Sequence, residues 1–162
     1  MRYRVVEFDD QYQQAVIDLI LPIQQKEFNI PVTIQDQPDL QNIPSFYQQG
    51  NGNFWVALHD GEVVGTIGQI DFGKRQVALR KMFVHRDHRG KENGVAQLLL
   101  DELKDWCRRK EVKDIFLGTL HSMQAAHRFY QKNGFTELGK AELPETFPLM
   151  RVDNTFFTCH FP

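Results

Sequence analysis

The stretch LRKMFVHRDHRGKENGVAQLLL, residues 79–100, decides how the rest of the chain is read. An apolar run ending at Val84 passes through a basic, glycine-containing loop into a segment with helical apolar spacing. A strand, a loop and a helix N-terminus in that order outline an anion site. The first amides of a helix have no partner within it, and the helix dipole favours negative charge there. Arg86, Arg89 and Lys91 bring positive charge to the same place. The guest this combination suits is a phosphate or pyrophosphate on a cofactor.

Upstream of that stretch, QVALRKMFV (76–84) reads as a strand entered from a Gly73-Lys74 turn. FWVALH (54–59) and EVVGTIGQIDF (62–72) flank Asp60-Gly61, a hairpin signal because both turn positions tolerate positive φ. Gly50–Gly52 marks a turn before them. RYRVVEF (2–8) suits a short first strand. Val16, Leu19, Ile20 and Ile23 give residues 10–28 the spacing of an amphipathic helix. Pro22 inside that pattern predicts a kink or a break. Pro31, Pro38 and Pro44 make 29–44 a loop around a short second helix near 38–49.

Downstream, a helix over about 94–110 sets Val95, Leu99, Leu103 and Trp106 on one face. DIFLGT (114–119) reads as a short buried strand, and 122–132 as a helix stopped by a left-handed cap at Gly134. FTELG (135–139) and MRVDNTFFTCHF (150–161) complete the sheet. The order β-α-α-β-β-β-α-β-α-β-β is that of an α/β (α+β) chain with a mixed sheet, a central antiparallel meander and about four flanking helices. With no repeat, low-complexity tract or linker, residues 1–162 read as a single domain long enough to bury a core.

Composition narrows the partners. The apolar share of 41% and charged share of 25% are ordinary for a globular chain. A net charge of -2 argues against a general nucleic-acid partner, because the basic residues concentrate locally between Arg75 and Lys91. No apolar run approaches the roughly 20 residues of a membrane helix. MRYRVVEFDD carries no continuous apolar signal-peptide core. Cys107 and Cys159 are too few for a disulfide framework, so a reducing, cytoplasmic setting is the expectation.

Two segments then carry a family resemblance. MFVHRDHRGKENGVAQLLL (82–100) resembles the cofactor motif of the GNAT superfamily of acetyl-CoA-dependent N-acetyltransferases, R-x-x-G-x-G/A opening a long helix. AAHRFYQKNGFTEL (125–138) is similar to the family's A-x-x-x-Y-x-K-x-G-F helix and strand. Taking Gly94-Val95-Ala96 as the G-x-A element makes the loop after Arg89 two residues longer than usual and keeps the Glu92 carboxylate off a pyrophosphate. Where the family often has an asparagine contacting the pantetheine arm, this chain has Met123.

The resemblance implies a GNAT-like fold, acetyl-CoA as co-substrate and a primary amine as acceptor. It further implies a splay between two parallel strands, residues 82–84 and 114–119, that admits the pantetheine arm. Phe83, Val84, Arg89, Gly90, Lys91, Asn93, Gly94, Val95 and Ala96 would hold the cofactor. The Val84 backbone amide would donate to the developing oxyanion, the kind of aimed dipole that stabilises such charge strongly. Tyr130 matches the tyrosine that serves many members as general acid, and it also reads as a core aromatic beside Phe129 and Phe135.

Other groups stay open. A lysine-like amine has a pKa of about 10.4, so it must shed a proton before attack. The strand 76–84 offers no carboxylate for that work. His121, expected at the C-terminal end of strand 114–119, is a base candidate or a surface histidine, and Glu27 and Asp71 are weaker ones. His85, Asp87 and His88 lack the further ligands a metal centre needs, so no metal is expected. A CoA-binding sensor without catalysis is the main alternative. An ATP or dinucleotide site at 89–96 is a third, opposed by the meander ahead of the loop. The acceptor should enter between residues 20–50 and 140–150, near Phe28, Phe46 and Tyr47. Glu27, Asp36, Asp39, Glu142 and Glu145 there suggest a small or cationic molecule. A monomer, or a homodimer through the aromatic final strand (Phe156, Phe157, Phe161), would suit the chain.

Overall fold

The computed structural model describes residues 2–162. In chain order its elements are β1 (Arg4–Glu7), α1 (Gln13–Pro22), α2 (Pro38–Gln41), α3 (Ile43–Tyr47), β2 (Asn53–His59), β3 (Glu62–Gly73), β4 (Gln76–Val84), α4 (Val95–Arg109), β5 (Asp114–Thr119), α5 (Gln124–Lys132), β6 (Thr136–Leu138) and β7 (Thr155–His160). The strands form one seven-stranded sheet in the order β1-β2-β3-β4-β5-β7-β6. Every neighbouring pair is antiparallel except β4 and β5.

The turn chemistry works as the sequence predicts. Asp60 and Gly61 both take positive φ, +51° and +82°, closing the β2–β3 hairpin. Gly134, at φ +88°, ends α5 in the left-handed cap, with the Phe135 and Gly134 amides returning to the Tyr130 and Gln131 carbonyls. Pro22 ends the regular part of α1, and the chain continues as one wide turn over Ile23–Glu27. There Phe28 N–H reaches back five residues to the Ile23 carbonyl at 3.1 Å.

Three expectations need correction. The helix expected near 38–49 is two short helices, broken at Asn42 with φ -141°. The last strand begins at Thr155, so residues 150–154 are a loop. That strand is also no sheet edge. β7 pairs with β5 on one side and β6 on the other, and Phe156 and Phe157 are buried. The sheet edges are β1 and β6.

The sheet is covered on both faces. Val95, Leu99, Leu100 and Leu103 of α4 pack with Trp55, Ile67, Val77 and Leu79 on one face, joined by Tyr130 and Phe135. Trp106, expected in that row, is only half-buried and donates its indole N–H to the Asn51 carbonyl. The opposite face carries Val16, Ile20, Leu40, Ile43 and Tyr47 against Phe54, Val56 and Leu58.

A β-bulge interrupts β4 near its C-terminal end. Thr66 pairs with Phe83 and Gly68 with Arg80, so Lys81 and Met82 together oppose Ile67. Lys81 takes φ +55°, and Thr66 Oγ1 donates to its carbonyl at 2.7 Å. The extra residue shifts the alternation of side chains. Val77 and Leu79 pack on the α4 face, and beyond the bulge so do Met82 and Val84.

Candidate active site

β4 and β5 pair only from Gln76–Asp114 to Ala78–Phe116, and past that point the parallel strands part. Two cavities open at the gap, of about 690 Å³ and about 480 Å³, and both are lined by Met82, Ala125, Ala126 and Tyr130.

The larger cavity is a groove between the 89–97 segment and α5. Val84, Arg89, Gly90, Lys91, Gly94 and Ala96 form one wall, and Arg128, Phe129 and Lys132 the other. Gly90 and Gly94 take φ +106° and +67°, conformations that cost a side chain strain. The first bond of α4 runs from Leu98 N–H to the Gly94 carbonyl, so the amides of Val95, Ala96 and Gln97 have no helical partner. Lys91 forms no ion pair among the described residues. Free amides, glycine backbone and lysine charge at one end, with an apolar floor at the other, fit a pyrophosphate carried on an extended arm.

Other residues expected here fall outside the groove or are held by protein partners. Asn93 and Val95 do not line the groove. The Asn93 amide is spent on the Gly90 carbonyl, its side chain donates to the Arg89 carbonyl, and the Val95 side chain is core. Phe83 lines the smaller cavity. Arg89 borders the groove, but its Nε donates to the Val84 carbonyl at 2.7 Å and its terminal nitrogen lies 2.8 Å from Glu27. Arg86 is exposed and outside it. Glu92 turns its carboxylate onto Gly90, where a Cβ would meet Oε1 at 2.7 Å.

The Val84 amide faces the gap. His85 N–H bonds the Val64 carbonyl, which makes Gly65–Val84 a non-hydrogen-bonded antiparallel pair. The Val84 N–H therefore points away from β3, to the side that β5 has left. Tyr130 stands where the cavities meet, its hydroxyl donating to the Met82 sulfur at 3.7 Å. Burial, with the Asp153 carboxylate nearby, raises that hydroxyl well above the ordinary phenol range. Tyr130 thus keeps its proton at neutral pH, at the point where the two cavities meet.

The smaller cavity lies between β4, β5 and the 147–153 loop. Its charged lining is Arg80, Lys81 and Asp153, with Phe28, Ile30, Phe147, Met150 and Val152 as apolar surface. Asp153 presses on Gly118 of β5, where a Cβ would stand 2.4 Å from Oδ2. Burial raises its carboxyl to about 6, against the pull of Arg80 and Lys81. That is the range in which a carboxylate works as a base near neutral pH. Burial likewise lowers the Lys81 ammonium, opposed by Asp39 at 3.6 Å.

The sequence-based base candidates do not face this cavity. His121 is exposed and outside it, with its amide held by Asn154. Glu27 pairs with Arg89, and Asp71 accepts from the Asn51 and Gly73 amides in a turn. Residues 150–161 read as one strand, and nothing in that pattern sets Asp153 apart as a site residue; the strand begins only at Thr155. Of the aromatics expected to border an acceptor cleft, Phe28 lines this cavity, Phe46 lies outside it, and Tyr47 is buried with its hydroxyl on Asp39. None of Glu27, Asp36, Asp39, Glu142 or Glu145 lines it. Cys107 is core, its thiol pushed by burial to about 12, and is no nucleophile. Among the described residues no group of three or more His, Cys, Asp or Glu is placed to hold a metal ion.

Comparison with known proteins agrees with this geometry. Residues 17–135 match the sequence model of the Acetyltransferase (GNAT) family. The probable N-acetyltransferase family 8 member 5 of Mus musculus is 32% identical over 132 residues, covering 78% of this chain and 57% of that protein. The chain spans about half the length of the curated relatives it matches. An acetyltransferase of the GNAT family from Staphylococcus aureus Mu50 has the same fold with a TM-score of 0.92 and 36% identity, over 98% of both chains. The PaiA N-acetyltransferase of Thermoplasma acidophilum, solved with coenzyme A, shares the fold at a TM-score of 0.74 and 14% identity, over 99% of this chain and 100% of that one.

Proposed function

The chain belongs to the acetyltransferase (GNAT) family, and from that premise we propose that it transfers the acetyl group of acetyl-CoA to a primary amine. The observation that carries this reading is the meeting of two cavities at Tyr130. One has the features of a pyrophosphate groove, the other holds a carboxylate, and the phenol stands between them.

Acetyl-CoA supplies an acetyl group already activated as a thioester. The protein's part is placement and proton management. Asp153 takes one proton from the acceptor's ammonium group, freeing the nitrogen lone pair. That nitrogen attacks the acetyl carbonyl carbon, forming the C–N bond, while the Val84 amide donates to the carbonyl oxygen as it gains charge. The C–S bond breaks, and the sulfur leaves with its electron pair and takes the Tyr130 hydroxyl proton. The second nitrogen proton restores the phenol, and Asp153 releases its own to solvent. One proton is lost overall, and free thiol and amide are the products.

Gly90, Gly94, Lys91 and the Val95–Gln97 amides hold the phosphates in this reading, with Arg89 positioned by Glu27. The test is calorimetric binding of acetyl-CoA to wild type and to Gly94→Trp, followed by thiol release with a panel of amines. Micromolar binding lost in the variant, with thiol release in wild type, is the expected result. Binding without release from any amine would instead identify a CoA sensor.

A further inference from the structure

The smaller cavity holds two opposite charges that the fold leaves unmatched. Arg80 forms no ion pair among the described residues. Its guanidinium donates to the Pro148 carbonyl and keeps further N–H donors for another partner. Asp153 also forms no ion pair, although Arg80 is near enough to oppose the burial-driven rise of its carboxyl. Lys81, in contrast, is committed to Asp39 and Gln37. The β4 bulge turns Met82 and Val84 to the opposite face and leaves Arg80 and Lys81, neighbours in sequence, lining one cavity.

Resting on the acetyltransferase reading, we infer that the acceptor is a zwitterion, an amino acid-like molecule whose carboxylate binds Arg80 while its amine faces Asp153. A guanidinium fork matches a carboxylate with paired, charge-assisted hydrogen bonds. A simple amine would leave Arg80 without an anion in a half-buried site. A polyamine would bring a second cation against Arg80 and Lys81, which is repulsive. The rest of the wall is apolar, and Phe28 and Val152 are exposed there at 39% and 44%. The acceptor's side chain is therefore apolar.

The test compares matched pairs. Thiol release from acetyl-CoA is measured with L-leucine, with isoamylamine (the same molecule without its carboxylate), with L-aspartate and with putrescine. Leucine is expected to exceed isoamylamine in kcat/KM by about tenfold or more, the worth of a charge-assisted hydrogen-bonded contact. It should also exceed aspartate and putrescine. Arg80→Gln should raise KM for leucine and shrink the leucine-to-isoamylamine ratio in kcat/KM, a ratio that any accompanying change at Asp153 affects equally. Equal or better use of isoamylamine or putrescine overturns the inference and leaves the acetyltransferase reading standing.

A binding measurement covers poor turnover or a variant that does not fold. Wild-type protein with CoA is titrated with N-acetyl-L-leucine and with N-acetylisoamylamine. Tighter binding of the carboxylate by about tenfold or more supports the inference, and equal binding overturns it. Failure to bind acetyl-CoA at all would instead remove the acetyltransferase reading, and this inference with it.

Discussion

Asp153 rests on Gly118 so closely that a Cβ on the glycine would lie 2.4 Å from Oδ2 and 2.9 Å from the Asp153 Cβ. The glycine is what lets a loop carboxylate reach the strand gap. Gly118→Ala is expected to push Asp153 aside at a stability cost on the order of 1 kcal/mol, because a loop side chain can yield. Its effect on kcat/KM should approach that of Asp153→Asn. Steady-state kinetics beside thermal unfolding of both variants checks this.

Asp153 also sets a pH dependence. Its carboxyl is raised to about 6, and the form that accepts a proton is the ionised one. Activity should therefore rise with pH through about 6 and level off above it. The charged or titratable groups facing Asp153 are Arg80 and Lys81 from β4 and Tyr130 from α5, and β5 contributes only Gly118. Arg80 and Lys81 both oppose the burial that raises the Asp153 carboxyl, and the limb is assigned to Asp153. In a kcat/KM profile from pH 5 to 8 it should vanish in Asp153→Asn.

Tyr130→Phe removes the proton donor and keeps the ring. The ring packs near Phe135 and Phe157, while the hydroxyl makes only the 3.7 Å contact to Met82 sulfur. Stability should change by less than about 1 kcal/mol. The rate should fall by about 10²-fold, the lower end of a general acid's contribution, with acetyl-CoA affinity unchanged. A wild-type rate in this variant would reduce Tyr130 to a packing residue.

Gly94 separates backbone strain from blockage. A Cβ there would meet nothing nearer than the Lys91 carbonyl at 3.9 Å, so alanine is opposed only by φ +67°. Gly94→Ala should cost about 1 kcal/mol of stability and little affinity for acetyl-CoA. Gly94→Trp should abolish binding by filling the groove. Calorimetry on both variants reads the difference.

Thr66→Val tests the bulge. Thr66 is fully buried, and its hydroxyl satisfies the Lys81 carbonyl at 2.7 Å. Valine keeps the shape and removes the donor, which should cost about 1–3 kcal/mol in denaturant unfolding if the carbonyl is left unpaired. A loss near zero would mean that the Lys81 backbone holds its conformation without help.

Much of this protein was legible along the chain. Local periodicity and turn chemistry specify the meander, because Asp60-Gly61 and Gly134 need only their own φ preferences to act. The 79–100 stretch likewise announces its strand, loop and helix, since free helix amides and glycines are properties of neighbours in sequence. Family resemblance marked Tyr130. What the tertiary structure decided depends on contacts between distant segments. Strand alternation would send Arg80 and Lys81 to opposite faces, and only a register slip against Ile67, secured by Thr66, leaves both lining one cavity. Asp153 lies in a loop whose course is set by β7 inserting between β5 and β6, a pairing no local pattern encodes. Arg89 looked free for phosphate until the turn after Pro22 brought Glu27 within 2.8 Å. The scaffold was thus written in short-range preferences, while the charges facing the acceptor were set by packing across the sheet.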